Sequence, residues 1–417
     1  MGYLNENAVY PKMYRIKQKF NTEKITDINT EVIKQLDSIG LKDTVKRDAH
    51  IGITCGSRGI NNIPVIIKAV VDYVKSIGAV PFIIPAMGSH GGAEAEGQKH
   101  VCEKFGVSEE AMGCEICSSM DTVVLGQTPE GVNVYFDKNA YESDGVIIVN
   151  RVKRHTDFTA KNESGLVKMI SVGLGKQKGA SAMHDNGLGK TIPAAAKVAI
   201  KKAPIIAGLA IVENAAEDTC VLKAVKPENF IEEDAKLLEL SNSLVPSLPV
   251  DYIDILIVKE MGKQYSGTGM DTKVIGRMKI FGEKEPTSPR IKKLAVLRLS
   301  SASYGNALGI GLADLTVKKL VDSIDYEAMY SNLVTTTFLE RGKVPVHFDT
   351  EKEVIDVALR TIGNVKPENA RVMIIENTLN IGTMLVSESI YKDIKNKVEL
   401  VDEDVKIKFN KDLELDV

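Results

Sequence analysis

The sequence predicts an α/β fold of two lobes with a ligand cleft between them. Three observations lead there. The chain has 417 residues, more than one domain of ~100–200 residues usually holds. Apolar strand-like runs alternate along it with segments of helical period. Its conspicuous polar residues fall just past the ends of the strand-like runs, where open α/β sheets gather ligands.

In chain order, Ile51–Cys55 reads as a strand, Pro64–Ser76 as a helix, Val80–Pro85 as a strand and Ala93–Phe105 as a helix. Thr122–Gly126 and Val132–Phe136 form a short antiparallel pair across the turn residues Pro129-Glu130-Gly131. Gly145–Asn150 and Ile205–Val212 continue the sheet, and Pro227–Ser243, rich in Glu, Leu and Lys, reads as a surface helix. Pro246 and Pro249 then break the pattern and mark a boundary. This gives an N-terminal α/β domain over 1–248 and a C-terminal α/β domain over 249–417, with the tail 401–417 expected to pack back on the first. In the second domain the strands are Tyr252–Lys259, Leu294–Leu299, Val344–Phe348 and Arg371–Glu376, and the helices Ala307–Ile324, Lys352–Ile362 and Val386–Ile394. Val405–Phe409 alternates like one more strand.

Composition narrows the function classes. Lys+Arg 53 against Asp+Glu 56 leaves a formal charge of −3, which offers nothing to draw in nucleic acid or an anionic membrane. No apolar run approaches the ~20 residues of a membrane span. The first twenty residues are polar and lack the apolar core of a secretion signal. Five cysteines, an odd number, suit reduced thiols in a cytoplasm. Cys114 and Cys117 form one CxxC with no second pair, which favours incidental thiols over a zinc or redox centre.

The residues that could carry chemistry cluster around glycines. His90 lies in Gly88-Ser89-His90-Gly91-Gly92 after a strand. It can serve as an acid and base near neutrality, or satisfy loop carbonyls. His155 follows Arg151, Lys153 and Arg154, which suits a loop facing a carboxylate or phosphate, or a solvated basic loop. Lys168 sits among apolar residues, either as a snorkelling surface group or as a desolvated amine able to act as nucleophile or attachment point. His184 is a candidate metal ligand, its ring open to orientation by Asp185. Gly173-Leu174-Gly175-Lys176 resembles a phosphate loop weakly, through backbone amides that could cradle an anion. His50, His100 and His347 lack partner motifs and read as structural.

Taken together, His90, His155, Lys168 and His184 resemble the ordered functional residues of the nickel-pincer-dependent lactate racemase family. The sixteen-residue step from Lys168 to His184 fits that family's step from tether lysine to nickel ligand, and the resemblance covers about the first 215 residues. Arg58 in Gly56-Ser57-Arg58-Gly59 is similar to the family's substrate-binding arginine. There are departures. Cys55 stands where the lactate enzymes carry an aspartate, and Gly59 where they carry a proline. The segment from His155 to Lys168 is about three residues longer and lacks a glycine-rich run, which leaves Lys161 and Lys176 as competitors for the tether. The departures point to a substrate other than lactate.

The resemblance implies an isomerase, a racemase or epimerase of a 2-hydroxy acid. Its cofactor would be the nickel-pincer nucleotide (pyridinium-3,5-bisthiocarboxylic acid mononucleotide nickel). The Cα proton of such an anion is too weakly acidic for an imidazole, so the family moves a hydride to the cofactor while a base takes the hydroxyl proton. Two faces need two bases, hence His90 and His155. Lys168 would be the tether, His184 the metal ligand and Arg58 the carboxylate clamp. Lys263 of the second lobe would polarise the carbonyl oxygen. Ser57, Gly173 and Gly175 would line the cofactor. The small-molecule substrate would be the partner, with no nucleic acid and no membrane, and the oligomeric state is open. Two rivals remain: a zinc hydrolase built on His90, His155 and His184, and a non-catalytic protein that stores the cofactor.

Overall fold

A computed structural model describes residues 8–57, 59–155 and 158–417. It divides into a central unit, Asn21–Val245, and a terminal unit, Met1–Phe20 with Pro246–Val417. Among the described residues no helix is long and apolar enough to cross a membrane.

The first strand, β1 (Met13–Gln18), belongs to the terminal unit. The central unit opens with α1 (Ile28–Ser38), α2 (Leu41–Thr44), β2 (His50–Cys55), α3 (Ile63–Ser76) and β3 (Val80–Pro85). A 3₁₀ turn at Gly91–Ala93 leads into α4 (Ala95–Lys104) and α5 (Glu109–Met112), followed by β4 (Thr122–Gln127), β5 (Asn133–Asp137), α6 (Lys138–Glu142) and β6 (Gly145–Arg151). Next come α7 (Leu166–Lys168), a π-helical turn (Met169–Gly173), α8 (Lys176–Asp185), α9 (Leu188–Lys202), β7 (Ile205–Glu213), β8 (Thr219–Val225) and α10 (Phe230–Leu244).

Five strands pair in the order β3-β2-β6-β7-β8, the first four parallel and β8 antiparallel to β7; β4 and β5 form a separate antiparallel ribbon. The near-continuous apolar sequences of β2, β6 and β7 are what a parallel sheet covered on both faces requires. Alternation along β6 shows the two faces. Ile147 and Val149 join a core with Ile66 and Val70 of α3, whereas Val146 and Ile148 join one with Leu166, Ile192 and Phe230.

The terminal unit holds β9 (Tyr252–Met261), β10 (Arg290–Leu299), β11 (Leu315–Val317), α11 (Lys318–Asp322), α12 (Tyr326–Thr336), β12 (Val346–Phe348), α13 (Glu351–Arg360), β13 (Val372–Ile375), β14 (Thr383–Ser387), α14 (Glu388–Ile394) and β15 (Val398–Val405). Its eight strands run β12-β11-β10-β9-β13-β14-β1-β15, parallel from β12 to β13 and antiparallel thereafter.

Several elements differ from the sequence reading. β1 lies between β14 and β15 in the terminal unit, outside the domain that the sequence assigned to 1–248. The tail strand is Val398–Val405, paired with β1 in its own unit, while Phe409 makes only an isolated bridge to Leu415. Ala307–Ile324 is not one helix. Gly309, at φ +97°, leaves no room for a side chain against the Thr268 carbonyl, and the segment becomes a 3₁₀ turn, β11 and α11. The expected helix Val386–Ile394 begins as the end of β14. α10 is a surface helix with one buried face: Phe230, Leu237 and Leu238 point into the core while Glu232, Lys236 and Glu239 are exposed.

Phe230 is fully buried, and its ring fills the space that a Cβ on Gly208 of β7 would occupy. Phe230→Ala is therefore expected to cost about 3–5 kcal/mol in denaturant unfolding. A loss below about 1 kcal/mol would show that α10 is not part of this core.

Candidate functional site

Strand order creates an opening. The chain passes from β2 through α3 to β3 on one side, then returns to β6 on the other side of β2. The reversal places a switch point between the carboxyl ends of β2 and β6, the usual ligand crevice of an open parallel sheet. The ladders show the parting. β2 pairs with β3 as far as Cys55↔Pro85, and β6 with β7 as far as Arg151↔Ile211, but β2 and β6 pair only as far as Ile53↔Ile147. Beyond that pair the Thr54 hydroxyl intervenes, accepting the Val149 N–H at 2.9 Å and donating to the Val149 carbonyl at 3.3 Å.

Around this crevice the three strand ends deliver functional candidates side by side. Ser57 follows β2, His90 follows β3 and His155 follows β6. The end of β3 stays paired beside the end of β2, ~4.8 Å away, whereas the end of β6 has parted from it. The Ser57 hydroxyl hydrogen-bonds His90 Nδ1. A hydroxyl can donate or accept, so Ser57 can serve either tautomer and leave Nε2 with or without a proton. His90 is exposed, and Arg58 lies outside the described residues.

The His90 turn is firmly built. Gly88 (φ +61°) donates its N–H to the Gly173 carbonyl at 3.2 Å. Gln98 of α4 donates its side-chain amide to the Gly88 carbonyl at 2.8 Å and the His90 carbonyl at 3.1 Å. Gly91 and Gly97 meet backbone to backbone. A Cβ on Gly97 would lie 2.0 Å from the Gly91 carbonyl oxygen, so only glycine lets the turn dock on α4.

On the β6 side, the buried Glu163 carboxylate accepts the N–H of His155 at 2.5 Å and that of Ala160 at 3.2 Å. The His155 ring packs against Phe158 with centroids 4.6 Å apart. Lys153 and Ser164 exchange backbone hydrogen bonds of 2.9 and 3.1 Å at the neck of the loop. Asn150 donates its amide to the Gly165 carbonyl at 2.8 Å, and Met169 reaches to within 3.2 Å of where a Cβ on Gly56 would sit. Lys168, between these two contacts, is thus carried to the crevice on α7, and it is partly exposed.

Asp234 of α10 accepts the N–H groups of Leu166 (3.0 Å) and Val167 (2.8 Å), capping α7. A Cβ on Gly165 would fall 2.5 Å from that carboxylate. Burial pushes the Asp234 carboxyl up to about 6, against the pull of the two backbone N–H groups.

Lys176 opens α8 with φ +53° and is fully buried. Its ammonium donates to the Pro85 carbonyl and to Gln98 Oε1 at 3.2 Å, and forms an ion pair with Asp137 Oδ2 at 3.1 Å. Burial pushes the Asp137 carboxyl up and the Lys176 ammonium down, their mutual attraction opposing both shifts. Lys176 has no free path to a ligand, whereas Lys161 is exposed. Gly173 and Gly175 are buried, and the structure gives both a packing reason. A Cβ on Gly173 would meet the Ala86 carbonyl at 2.8 Å, and one on Gly175 the Ser171 carbonyl at 2.6 Å. His184 is exposed in the last turn of α8.

Lys263 belongs to the terminal unit. It is half-buried there, its ammonium donating to the Gly267 carbonyl at 2.8 Å and Asn332 Oδ1 at 2.9 Å, and burial lowers its pKa. Among the described residues no group of three or more His, Cys, Asp or Glu side chains is placed to hold a metal ion, so a zinc site of His90, His155 and His184 is not formed there. Asp234, Gln98, Asp137 and Glu163 escaped the sequence reading. Asp234 had a signal, since it shares the apolar face of α10 with Phe230, Leu237, Leu238 and Ser241.

Residues 10–192 match the model of the lactate racemase N-terminal domain. No match is found among curated proteins. Two solved structures are similar. One is a protein from Thermotoga maritima, 14% identical, with 85% of this chain and 89% of that chain covered and a TM-score of 0.49. The other is the lactate racemase apoprotein from Thermoanaerobacterium thermosaccharolyticum, 14% identical, with 84% and 86% covered and a TM-score of 0.43.

The Asp234 cap carries a pH signature. In the unfolded chain an aspartate ionises near ~4, but in the fold Asp234 ionises near about 6. Its protonation thus contributes stability that is full below the unfolded value and lost as pH rises through 6, about 3 kcal/mol for a shift of about two units. Asp234→Asn does not titrate. The stability of the wild type relative to that variant is expected to rise by about that amount from about pH 7 to about pH 3. A difference constant with pH in chemical denaturation would refute the assignment.

Proposed function

Because residues 10–192 match the model of the lactate racemase N-terminal domain, we propose that this chain is a racemase or epimerase of a 2-hydroxy acid other than lactate, working with a nickel-pincer nucleotide. The observation that supports the reading is the parting of β2 from β6, with Ser57 bonded to His90, and the His155 loop and α7 each held by a buried carboxylate in the same unit.

The residues fit such a group. Lys168 is a partly exposed amine on a helix clamped at its first turn, and would hold the nucleotide. Lys176 is excluded from that role by its buried pairing with Asp137. His184, exposed at the end of α8, would ligate the metal; one imidazole suffices where the other donors come with the group. When bound, the group supplies the hydride acceptor that no side chain offers.

The chain's own chemistry is then proton handling. His90 and His155 follow the strands on either side of β2, and each would face the hydroxyl of one enantiomer, taking its proton in one direction and returning it in the other. The Ser57 hydroxyl accommodates both tautomers of His90. Glu163 fixes the backbone of His155, and the His155 ring packs against Phe158. Arg58, next to Ser57, would hold the carboxylate with its bidentate fork.

The test is turnover of a 2-hydroxy-acid panel in D₂O by enzyme produced together with cofactor-synthesis machinery. Inversion that retains the Cα hydrogen is expected, with His90→Ala and His155→Ala each lowering kcat by about 10²–10⁴. Solvent deuterium at Cα would overturn the hydride reading. Absence of turnover in wild type, with cofactor bound, would leave a storage protein.

A further inference from the structure

We propose that Lys176, through Asp137 and Gln98, is a positioning residue that locks the His90 turn to the start of α8. It would thereby fix the acid–base imidazole relative to the helix that ends in His184. The inference rests on the roles given above to His90 and His184.

Three observations support it. Lys176 and Asp137 are both fully buried, so this ion pair serves no surface purpose. A buried pair is weak evidence for stability, and here the ammonium ties the end of β3, α4 and the end of β5 to the start of α8. The lysine also sits at φ +53°, a conformation where glycine or asparagine would be easier. Its presence there is explained by the side chain. Finally, the bonds lead to functional backbone. The ammonium binds the Pro85 carbonyl at the end of β3 and Gln98 Oε1, and the same Gln98 amide donates to the carbonyls of Gly88 and His90. Asp137 meanwhile caps α6 through the Ala140 N–H at 2.8 Å, anchoring the ammonium to the β4–β5 ribbon. A second link closes the loop. Gly88 donates to the Gly173 carbonyl just before α8, and its α-carbon faces Ala180, one turn before His184.

Two variants test this in the full chain. Gln98→Leu keeps the volume but removes the bonds to Gly88 and His90. Lys176→Met/Asp137→Asn removes both buried charges together, which a fold tolerates better than removal of one. With histidine-labelled protein, the His90 imidazole signal, assigned by its loss in His90→Ala, is expected to shift or broaden in both variants while those of His50 and His347 stay in place. In loaded enzyme, kcat is expected to fall at least about tenfold with KM changed less than about twofold. An unmoved His90 signal in both folded variants would overturn the proposal, as would a change in KM alone. The imidazole signal is read without substrate, so it stands or falls independently of the racemase reading.

Discussion

The structure around the candidate site depends on one constraint: β2 and β6 cannot stay paired to their ends. Their ladder stops at Ile53↔Ile147, and a threonine hydroxyl occupies the next position. Neighbouring ladders continue to the strand ends, so the parting is local to the switch point. Ser57 and His155 follow the two strands that part there, His90 is bonded to Ser57, and Asn150 of β6 holds the Gly165 that precedes α7.

Opening a sheet edge exposes backbone groups that need partners. The central unit meets this with buried polar side chains instead of more strand. Asp234 takes two N–H groups of α7, Glu163 takes two of the His155 loop, and Gln98 takes two carbonyls of the His90 turn. Each of these side chains is buried and each holds a segment bearing a functional candidate. The arrangement keeps chemistry on loops while removing most of their freedom, as a preorganised site requires.

Much of this was legible in the sequence, for identifiable reasons. β3 falls on Val80–Pro85 as read, and β2, β6 and β7 within a residue, because strands buried on both faces leave uninterrupted apolar runs. His90 was visible because glycines surround it. What failed was non-local. β1 looks like part of the first domain until Tyr14 is seen opposite Val386 and Glu403. The run Ala307–Ile324 has helical composition, yet the tight approach of Gly309 to Thr268 breaks it. Lys176 competed with Lys168 for the tether, and no periodicity reveals that Asp137 waits for it in the core. Asp234 alone was readable in principle, as a carboxylate on the apolar stripe of α10.

The central claim is that the crevice between β2 and β6 holds the nucleotide through the amine delivered beside it. Peptide mass mapping of the cofactor-loaded protein tests this most directly. The account predicts an adduct on the peptide carrying Lys168. An adduct on Lys161 or Lys176, or nickel bound with these peptides unmodified and His184 dispensable for its retention, would contradict it.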